Sequence, residues 1–379
     1  MAKGIFVTTG GRHRKIVKVF ATVGNVYRQV KKVFATVGGV WRQILSGGGV
    51  TYYGNSTDGT LQPLSSARHN LMAAHVGNYA LFAGGIVSNV VDAYDKALTK
   101  VSVTSLRNDS YHGASASTGT YALFAGGGSS GVSTGVHGAV DTYDSTLTRG
   151  TATNLYGSAI QHTGTYSGLY AIFAGGLYAG VYLAYVNAYD ETLTRTRPTG
   201  FTLARSLLAS AVVGDYTLFG GGYTGTASAV VDVYDAGLTR LSALALTSAR
   251  YRLATANVPN YALFAGGNGT TAPWATDTVD VFTDTLMRLT PIALRESRYG
   301  LTGVSKDGYA FFSGGQSSSA IRSTTEVFDN TLTRISADDL SVGRHSLAAT
   351  HTGQYILFGG GMNLTSSGYY DTVDVYVKD

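Results

Sequence analysis

One seven-residue pattern constrains this chain more than any other feature, because it occurs seven times. It consists of Tyr, two mostly apolar residues, Phe, a small residue and two glycines. The first copy spans residues 79–85, and the others begin at Tyr121, Tyr170, Tyr216, Tyr261, Tyr309 and Tyr355. The separations of 42, 49, 46, 45, 48 and 46 residues suit a four-stranded propeller blade. The sequence therefore predicts an all-β, seven-bladed β-propeller.

A second unit follows each glycine pair, and a third follows six of the seven. An Asp-x-Tyr-Asp unit, or a close variant of it, begins at Asp92, Asp141, Asn187, Asp232, Asp280, Glu326 and Asp374. A Leu-Thr-Arg-like unit begins at Leu98, Leu147, Leu193, Leu238, Leu286 and Leu332, so it occurs only six times. The seventh blade thus lacks the sequence for its outer strand. Because an open sheet edge is prone to aggregation, we expect residues 50–64 to supply that strand and close the ring.

The three units together resemble the kelch repeat family over roughly residues 50–379. The glycine pair after an apolar strand and the aromatic residue near the third strand carry the resemblance. Kelch repeats usually place Trp about six residues after that aromatic residue. This chain has Lys or Arg there instead, at Lys100, Arg149, Arg195, Arg240, Arg288 and Arg334. The resemblance implies the propeller architecture, and the departure argues against transferring the partners of cellular kelch proteins.

The first 46 residues form a second predicted unit. Residues 1–50 contain nine of the 28 Lys and Arg side chains and no acid, which leaves 19 basic against 23 acidic residues in the remainder. A 14-residue repeat runs through residues 18–31 and 32–45, with a weaker copy from Gly4, and its turns contain Gly-Asn or Gly-Gly. Such turns between alternating runs predict β-hairpins. The predicted domains are therefore residues 1–46, a basic hairpin array, and residues 47–379, the propeller.

The hairpin repeat is similar to short tandem repeats in tail and appendage proteins of bacteriophages and prophages. An array of about forty residues is too small to stabilise itself alone, so its apolar face needs a partner. The resemblance implies anchoring to other virion proteins, in a homo-oligomer or a larger assembly. The residues predicted to serve this assembly are Phe20, Tyr27, Arg28, Phe34, Trp41 and Arg42. Aromatic rings beside basic residues also suit nucleic-acid stacking, but we favour a solvated or interface face and expect no nucleic-acid partner.

The sequence offers little that predicts catalysis. The chain has no cysteine, and its eight histidines show no metal-ligand spacing. The glycine pairs precede further strands rather than helices, which argues against a phosphate-binding loop. We interpret the repeated carboxylates as Asx turns leading into the outer strands rather than as calcium ligands. The sequence predicts no cofactor, no metal and no enzyme; a polysaccharide-degrading activity is the least favoured alternative.

The loops after the glycine pairs differ in length and composition, whereas the strands repeat. They should emerge on one face of the ring, and several contain aromatic residues, namely Tyr178, Tyr182, Tyr223, Trp274, Tyr369 and Tyr370. Variable aromatic and polar loops on a rigid scaffold are typical of a binding surface, and rings beside hydroxyls and amides suit glycans. For any one residue, packing between loops is the alternative.

These features lead to one functional hypothesis and one main alternative. The chain is predicted to be a phage tail or appendage protein that binds a host surface glycan or protein through its loops. It would be made in the bacterial cytoplasm without a signal peptide or membrane insertion, and would act in the virion. The alternative is a purely structural decoration or assembly protein of the particle.

Overall fold

The structure, a computed structural model, describes the backbone of residues 20–23, 26–29, 32–37 and 40–46. It describes residues 50–130, 135–272, 274–364 and 368–378 with their side chains. Every regular element in these ranges is a β-strand; they contain no helix that could cross a membrane. Seven antiparallel four-stranded sheets follow one another along the chain. The prediction of a seven-bladed β-propeller is confirmed.

Each blade runs from an inner to an outer strand. The first strand of every blade adjoins the first strands of its two neighbours, so these seven strands surround the central axis. Blade 1 consists of Met72–Val76, Tyr79–Ala83, Val91–Tyr94 and Lys100–Val101. Blade 2 consists of Ala114–Ser117, Ala122–Ala125, Val140–Tyr143 and Arg149–Ala152. Blade 3 consists of Thr163–Tyr166, Ala171–Ala174, Val186–Tyr189 and Arg195–Thr196, with an added hairpin of Leu177–Tyr178 and Val181–Tyr182.

The remaining blades follow the same plan. Blade 4 consists of Ala209–Val213, Tyr216–Gly220, Val231–Tyr234 and Arg240–Ser242. Blade 5 consists of Ala254–Val258, Tyr261–Ala265, Thr278–Thr283 and Ile292–Ala293. Blade 6 consists of Thr302–Lys306, Tyr309–Ser313, Thr325–Phe328 and Arg334–Ile335. Blade 7 consists of Ala348–Thr352, Tyr355–Gly359, Val373–Lys378 and Val50–Asn55.

The hydrophobic core lies between adjacent blades. The second and third strands of each blade are buried on both faces, which explains their nearly continuous apolar sequence. At the junction of blades 7 and 1, for example, Phe82 and Tyr94 pack with Leu357 and Val375, and all four are fully buried. Each sheet therefore buries its apolar faces against its two neighbours.

The ring closes within blade 7, as the missing third unit predicted. Val50–Asn55 pairs antiparallel with Val373–Lys378, with Val50 opposite Lys378 and Asn55 opposite Asp374. The Tyr52 hydroxyl donates a 2.8 Å hydrogen bond to Asp374 Oδ1 across this pair. The strand from before blade 1 thus completes the last sheet and pairs with the edge of the third strand, which would otherwise be open.

The repeated carboxylates have two different roles, and only one of them was predicted. The second acid of the unit forms the expected Asx turn: Asp144 Oδ1 accepts hydrogen bonds from the Thr146 and Thr148 N–H groups at 2.8 and 3.0 Å. The interpretation was wrong for the first acid, because that side chain forms a buried ion pair with an arginine. The five pairs are Arg68–Asp92 at 2.7 Å, Arg205–Asp232 at 2.7 Å, Arg250–Asp280 at 2.6 Å, Arg298–Glu326 at 3.5 Å and Arg344–Asp374 at 2.6 Å.

Blade 3 lacks both partners of this ion pair. Ala159 occupies the arginine position and Asn187 the acid position. Asn187 Oδ1 accepts a 2.7 Å hydrogen bond from the Tyr156 N–H, and a cavity of about 10 Å³ lies beside Ala159 and Asn187. Since a buried charge without a partner is strongly unfavourable, the loss of the arginine is matched here by loss of the carboxylate.

The hairpin array has the predicted pairing where its backbone is described. Phe20–Val23 pairs with Val26–Gln29, and Lys32–Val37 pairs with Val40–Ser46, the second with a register shift next to Val33. The weaker copy from Gly4 lies outside the described residues. The side chains of Phe20, Tyr27, Arg28, Phe34, Trp41 and Arg42 also lie outside the described part, so their assembly role stays a prediction.

Candidate ligand-binding face of the propeller

A closed ring of backbone hydrogen bonds surrounds one end of the central channel. Seven residues form it, each two positions before the inner strand of its blade, namely Asn70, His112, Gln161, Leu207, Arg252, Gly300 and Ser346. Each N–H donates to the carbonyl oxygen of the corresponding residue in the preceding blade, at 2.8–3.2 Å, and the Asn70 N–H closes the circle on Ser346. All seven have positive φ, between 50° and 63°. We call this feature the mouth ring.

The positive φ of these residues follows from the circular arrangement. Each residue must direct its N–H to one neighbouring blade and its carbonyl to the other, which a strand conformation does not allow. Six of the seven are not glycine, although this region of φ is unfavourable for most side chains. The bonds on both sides hold that backbone in place, so the mouth ring is a rigid base from which side chains project.

A cavity of about 420 Å³ opens at the mouth ring. Its walls contain the amides Asn70 and Gln161, the imidazoles His112 and His345, and Arg252. The cavity combines hydrogen-bond donors and acceptors with the leucines that directly precede several inner strands, such as Leu208 and Leu253. This combination of a few polar groups on an apolar wall is typical of small-molecule and saccharide sites.

The histidines at this end of the channel are neutral at physiological pH. Burial lowers the pKa of His69 to about 4. Burial and the charge of Arg252 lower the pKa of His345 to about 4 and that of His112 to about 3. A neutral imidazole both donates and accepts a hydrogen bond, as a sugar hydroxyl requires.

Aromatic side chains flank the cavity in two groups. In the first, the His69 ring lies 4.7 Å from Tyr369 and 5.6 Å from Tyr111. In the second, the Tyr223 ring lies 4.9 Å from Tyr251 and 6.1 Å from Tyr182. Rings arranged in this way present hydrocarbon faces and hydroxyl groups together, which suits stacking against a sugar ring.

Comparisons with known proteins support the fold and go no further. No protein-family model matches the chain, and no curated protein matches it. A solved structure described as "Structure of YjhT" has a TM-score of 0.54 and 11% sequence identity, over 83% of this chain and 99% of that chain. The shared feature is the β-propeller. At this identity the likeness concerns the fold alone.

The structure places the predicted loops at the mouth end. Residues three positions before the inner strands form isolated bridges with the first loop residues after the glycine pairs, as between Ser206 and Tyr223 and between Tyr251 and Asn268. Tyr182 and Tyr223 contact each other, and Tyr369 contacts His69.

The other predicted loop residues lie apart from these contacts. Tyr178 is 47% exposed at the added hairpin of blade 3, and Trp274 is 50% exposed in the loop of blade 5. Tyr370 is half-buried, and its backbone bonds to Gly361 and Arg68. A binding role for any of the six residues stays a prediction.

Sequence reasoning missed the residues of the mouth ring itself. They lie at a constant offset, nine residues before the Tyr of each blade. The position just before them, ten residues before that Tyr, holds an aromatic residue or histidine in five blades, namely His69, Tyr111, Tyr251, Tyr299 and His345. The signal was therefore a fixed position in each repeat with varied residue types. Three of the histidines that looked scattered, His69, His112 and His345, lie at these two positions. Among the residues that the structure describes, no three His, Asp or Glu side chains converge as a metal site.

Proposed function

We propose that the propeller is a binding module that holds a surface glycan at its mouth. The observation that carries the proposal is the rigid mouth ring, whose polar cavity is flanked by two groups of aromatic side chains. Rigid placement lowers the entropy lost on binding, and aromatic rings beside amides and neutral imidazoles match the alternating faces of a sugar.

The remaining loops extend this surface outwards. The exposed rings of Tyr178 and Trp274 contribute apolar area at positions where a long polymer would leave the cavity. Binding of this kind is non-covalent, and each site is individually weak. Several copies on one assembly would reach high overall affinity through effective concentration.

We further propose that the chain is a kelch-like component of a phage or prophage particle. The resemblance of its basic hairpin repeats to tail and appendage proteins supports this assignment. The hairpin array would anchor the protein to other virion components, leaving the mouth to face the host. A cryo-EM map of the particle tests it: a mouth that points outwards supports attachment, while a mouth buried against neighbours indicates a structural decoration.

Glycan binding is tested with a double variant, Tyr178→Ala with Trp274→Ala. Because both rings are exposed, their loss should leave the thermal midpoint unchanged and weaken binding to a panel of bacterial envelope polysaccharides about tenfold or more. The matched control is Leu169→Ala, which removes a 55% exposed apolar side chain at the opposite end of blade 3. Equal affinity of the double variant and the wild type would contradict the role of these loops.

A further inference from the structure

Arg252 differs from every other arginine in residues 50–378. Each of the others donates a hydrogen bond, forms an ion pair or lies over an aromatic ring, as Arg250 does with Asp280 and Arg197 does with Tyr156. In the described part of the chain, the Arg252 guanidinium has no such partner, and the side chain is exposed at the cavity. An arginine positioned without a partner is available to a ligand.

The backbone of Arg252 is nevertheless fixed. It belongs to the mouth ring, where its N–H bonds to Leu207 at 3.0 Å and its carbonyl accepts from Gly300 at 2.9 Å. Its φ of 53° is held by these two bonds. The guanidinium therefore extends from a rigid point over the cavity rather than from a mobile loop.

The surroundings leave this positive charge uncompensated. Among the described residues that line the cavity, Arg252 is the only Lys, Arg, Asp or Glu. The charge reaches across the mouth, because it contributes to the lowered pKa of His112 in blade 2 and of His345 in blade 7. Those imidazoles stay neutral and do not compete for an anion, but they can donate hydrogen bonds to one.

We propose that Arg252 binds an anionic substituent of the ligand held at the mouth, such as a carboxylate, sulfate or phosphate on a saccharide. Guanidinium and these oxyanions form paired, charge-assisted hydrogen bonds that are stronger than neutral ones. Asn70 and Gln161 lie in the same wall and offer amide groups to the rest of the sugar. This inference rests on the proposed function, because it specifies the chemical class of its ligand.

General charge attraction does not account for such selectivity. The chain beyond residue 50 contains 19 basic and 23 acidic residues, so the propeller as a whole repels polyanions weakly. Selection for an anion therefore depends on the local field at the mouth. Removing a cation elsewhere on the propeller should therefore leave the preference for anionic ligands unchanged.

The test uses one oligosaccharide backbone in four forms: unsubstituted, C6-carboxylated, 6-sulfated and 6-phosphorylated. In titration calorimetry with the full chain, we expect at least one anionic form to bind about tenfold more tightly than the neutral form. The Arg252→Met substitution should abolish this preference, so that the anionic and neutral forms bind with affinities within about twofold of each other. Arg252→Lys, which keeps the charge but loses the fork geometry, should retain part of the preference. Which anionic form binds best identifies the substituent.

Lys96→Met is the matched control, because it removes an exposed cation at the opposite end of the propeller. Equal losses of anion preference in Lys96→Met and Arg252→Met would overturn the proposal in favour of overall charge. Equal binding of all four forms by the wild type would overturn it while leaving glycan binding intact. No binding of any form, nor of the envelope polysaccharides, would overturn the proposed function and this inference together.

Discussion

The buried ion pair of blade 5 allows a quantitative test of how the repeats are stabilised. Arg250 Nη2 lies 2.6 Å from Asp280 Oδ2, and both side chains are fully buried. The same guanidinium nitrogen donates a 3.0 Å hydrogen bond to the Phe264 carbonyl. Removing either partner leaves the other charge buried without compensation, which destabilises proteins by about 3–5 kcal/mol.

Blade 3 indicates what happens when both partners are removed. Its Ala159 and Asn187 correspond to the double variant Arg250→Ala with Asp280→Asn in blade 5. That double variant loses the packing of the arginine but leaves no unpaired charge. We expect it to lose about 3 kcal/mol, well below the roughly 6–10 kcal/mol that two independent losses would give.

The assay is urea unfolding followed by far-UV circular dichroism, applied to the wild type, both single variants and the double variant. The free energies form a double-mutant cycle, and its coupling energy should be at least about 2 kcal/mol. The control pair is Arg107–Asp141 of blade 2, which is similarly close at 2.7 Å but has an arginine side chain that is 34% exposed. Because this arginine lies partly in solvent, water can take its place beside the Asp141 carboxylate, and the loss for Arg107→Met should be only about 1 kcal/mol. The reasoning would be refuted if the stability losses of the two single variants in blade 5 were additive in the double variant. It would also be refuted if Arg250→Ala and Arg107→Met lost equal stability.

Two further predictions concern the inner strands and the glycine pairs. At the end of the channel opposite the mouth, the His75 and His351 rings lie 3.9 Å apart. Burial and the nearby charge of Lys306 lower the pKa of His75 to about 4. Burial, His75 and Lys306 lower the pKa of His351 to about 3. Because unfolded histidine has a pKa near 6.5, stability should be complete above that pH and fall by up to about 1.4 kcal/mol per pH unit per histidine as the pH drops to about 4. Thermal midpoints across this range should fall less in His75→Gln with His351→Gln than in the wild type, and parallel curves would contradict the assignment. For the glycine pairs, Gly360→Ala should lose roughly 3 kcal/mol or more, because φ is +68° and the new Cβ would lie 2.6 Å from the Arg68 carbonyl. Gly168→Ala, with φ of +90° and no atom within 4 Å, should lose only about 1 kcal/mol, and similar losses at both sites would show that close approach is unimportant.

The fold could be read from the sequence because its determinants repeat. The second strand of each blade is buried on both faces, so the same apolar residues recur at every copy, and the glycine pair recurs where neighbouring backbones approach. The closing strand could be inferred by counting, since six outer-strand units cannot complete seven sheets. Residues 50–64 were the remaining candidate, and Val50–Asn55 forms that strand.

The ion pairs were harder to predict, because their partners lie far apart along the chain. Arg250 and Asp280 are separated by 30 residues that include a variable loop, and nothing local distinguishes a buried carboxylate from one in a turn. A signal was nevertheless present in the comparison of blades. Where alanine replaces the arginine at position 159, asparagine replaces the acid at position 187.

The candidate site was missed because its residue types differ from blade to blade. Reading repeats favours positions with a constant residue type, whereas the mouth ring has a constant position and variable residues. Asn70, His112 and Arg252 share only their offset from the next Tyr. Their common conformation comes from hydrogen bonds between blades, which no single repeat encodes.

This arrangement separates the shape of the mouth from its chemistry. The seven residues are joined through N–H and carbonyl groups that every amino acid except proline possesses, so their side chains contribute nothing to closing the circle. Substitution there can change the chemical character of the opening while the architecture persists. The mouth ring is thus a natural framework for directed evolution, in which randomising seven codons would sample many ligand specificities on one unchanged scaffold.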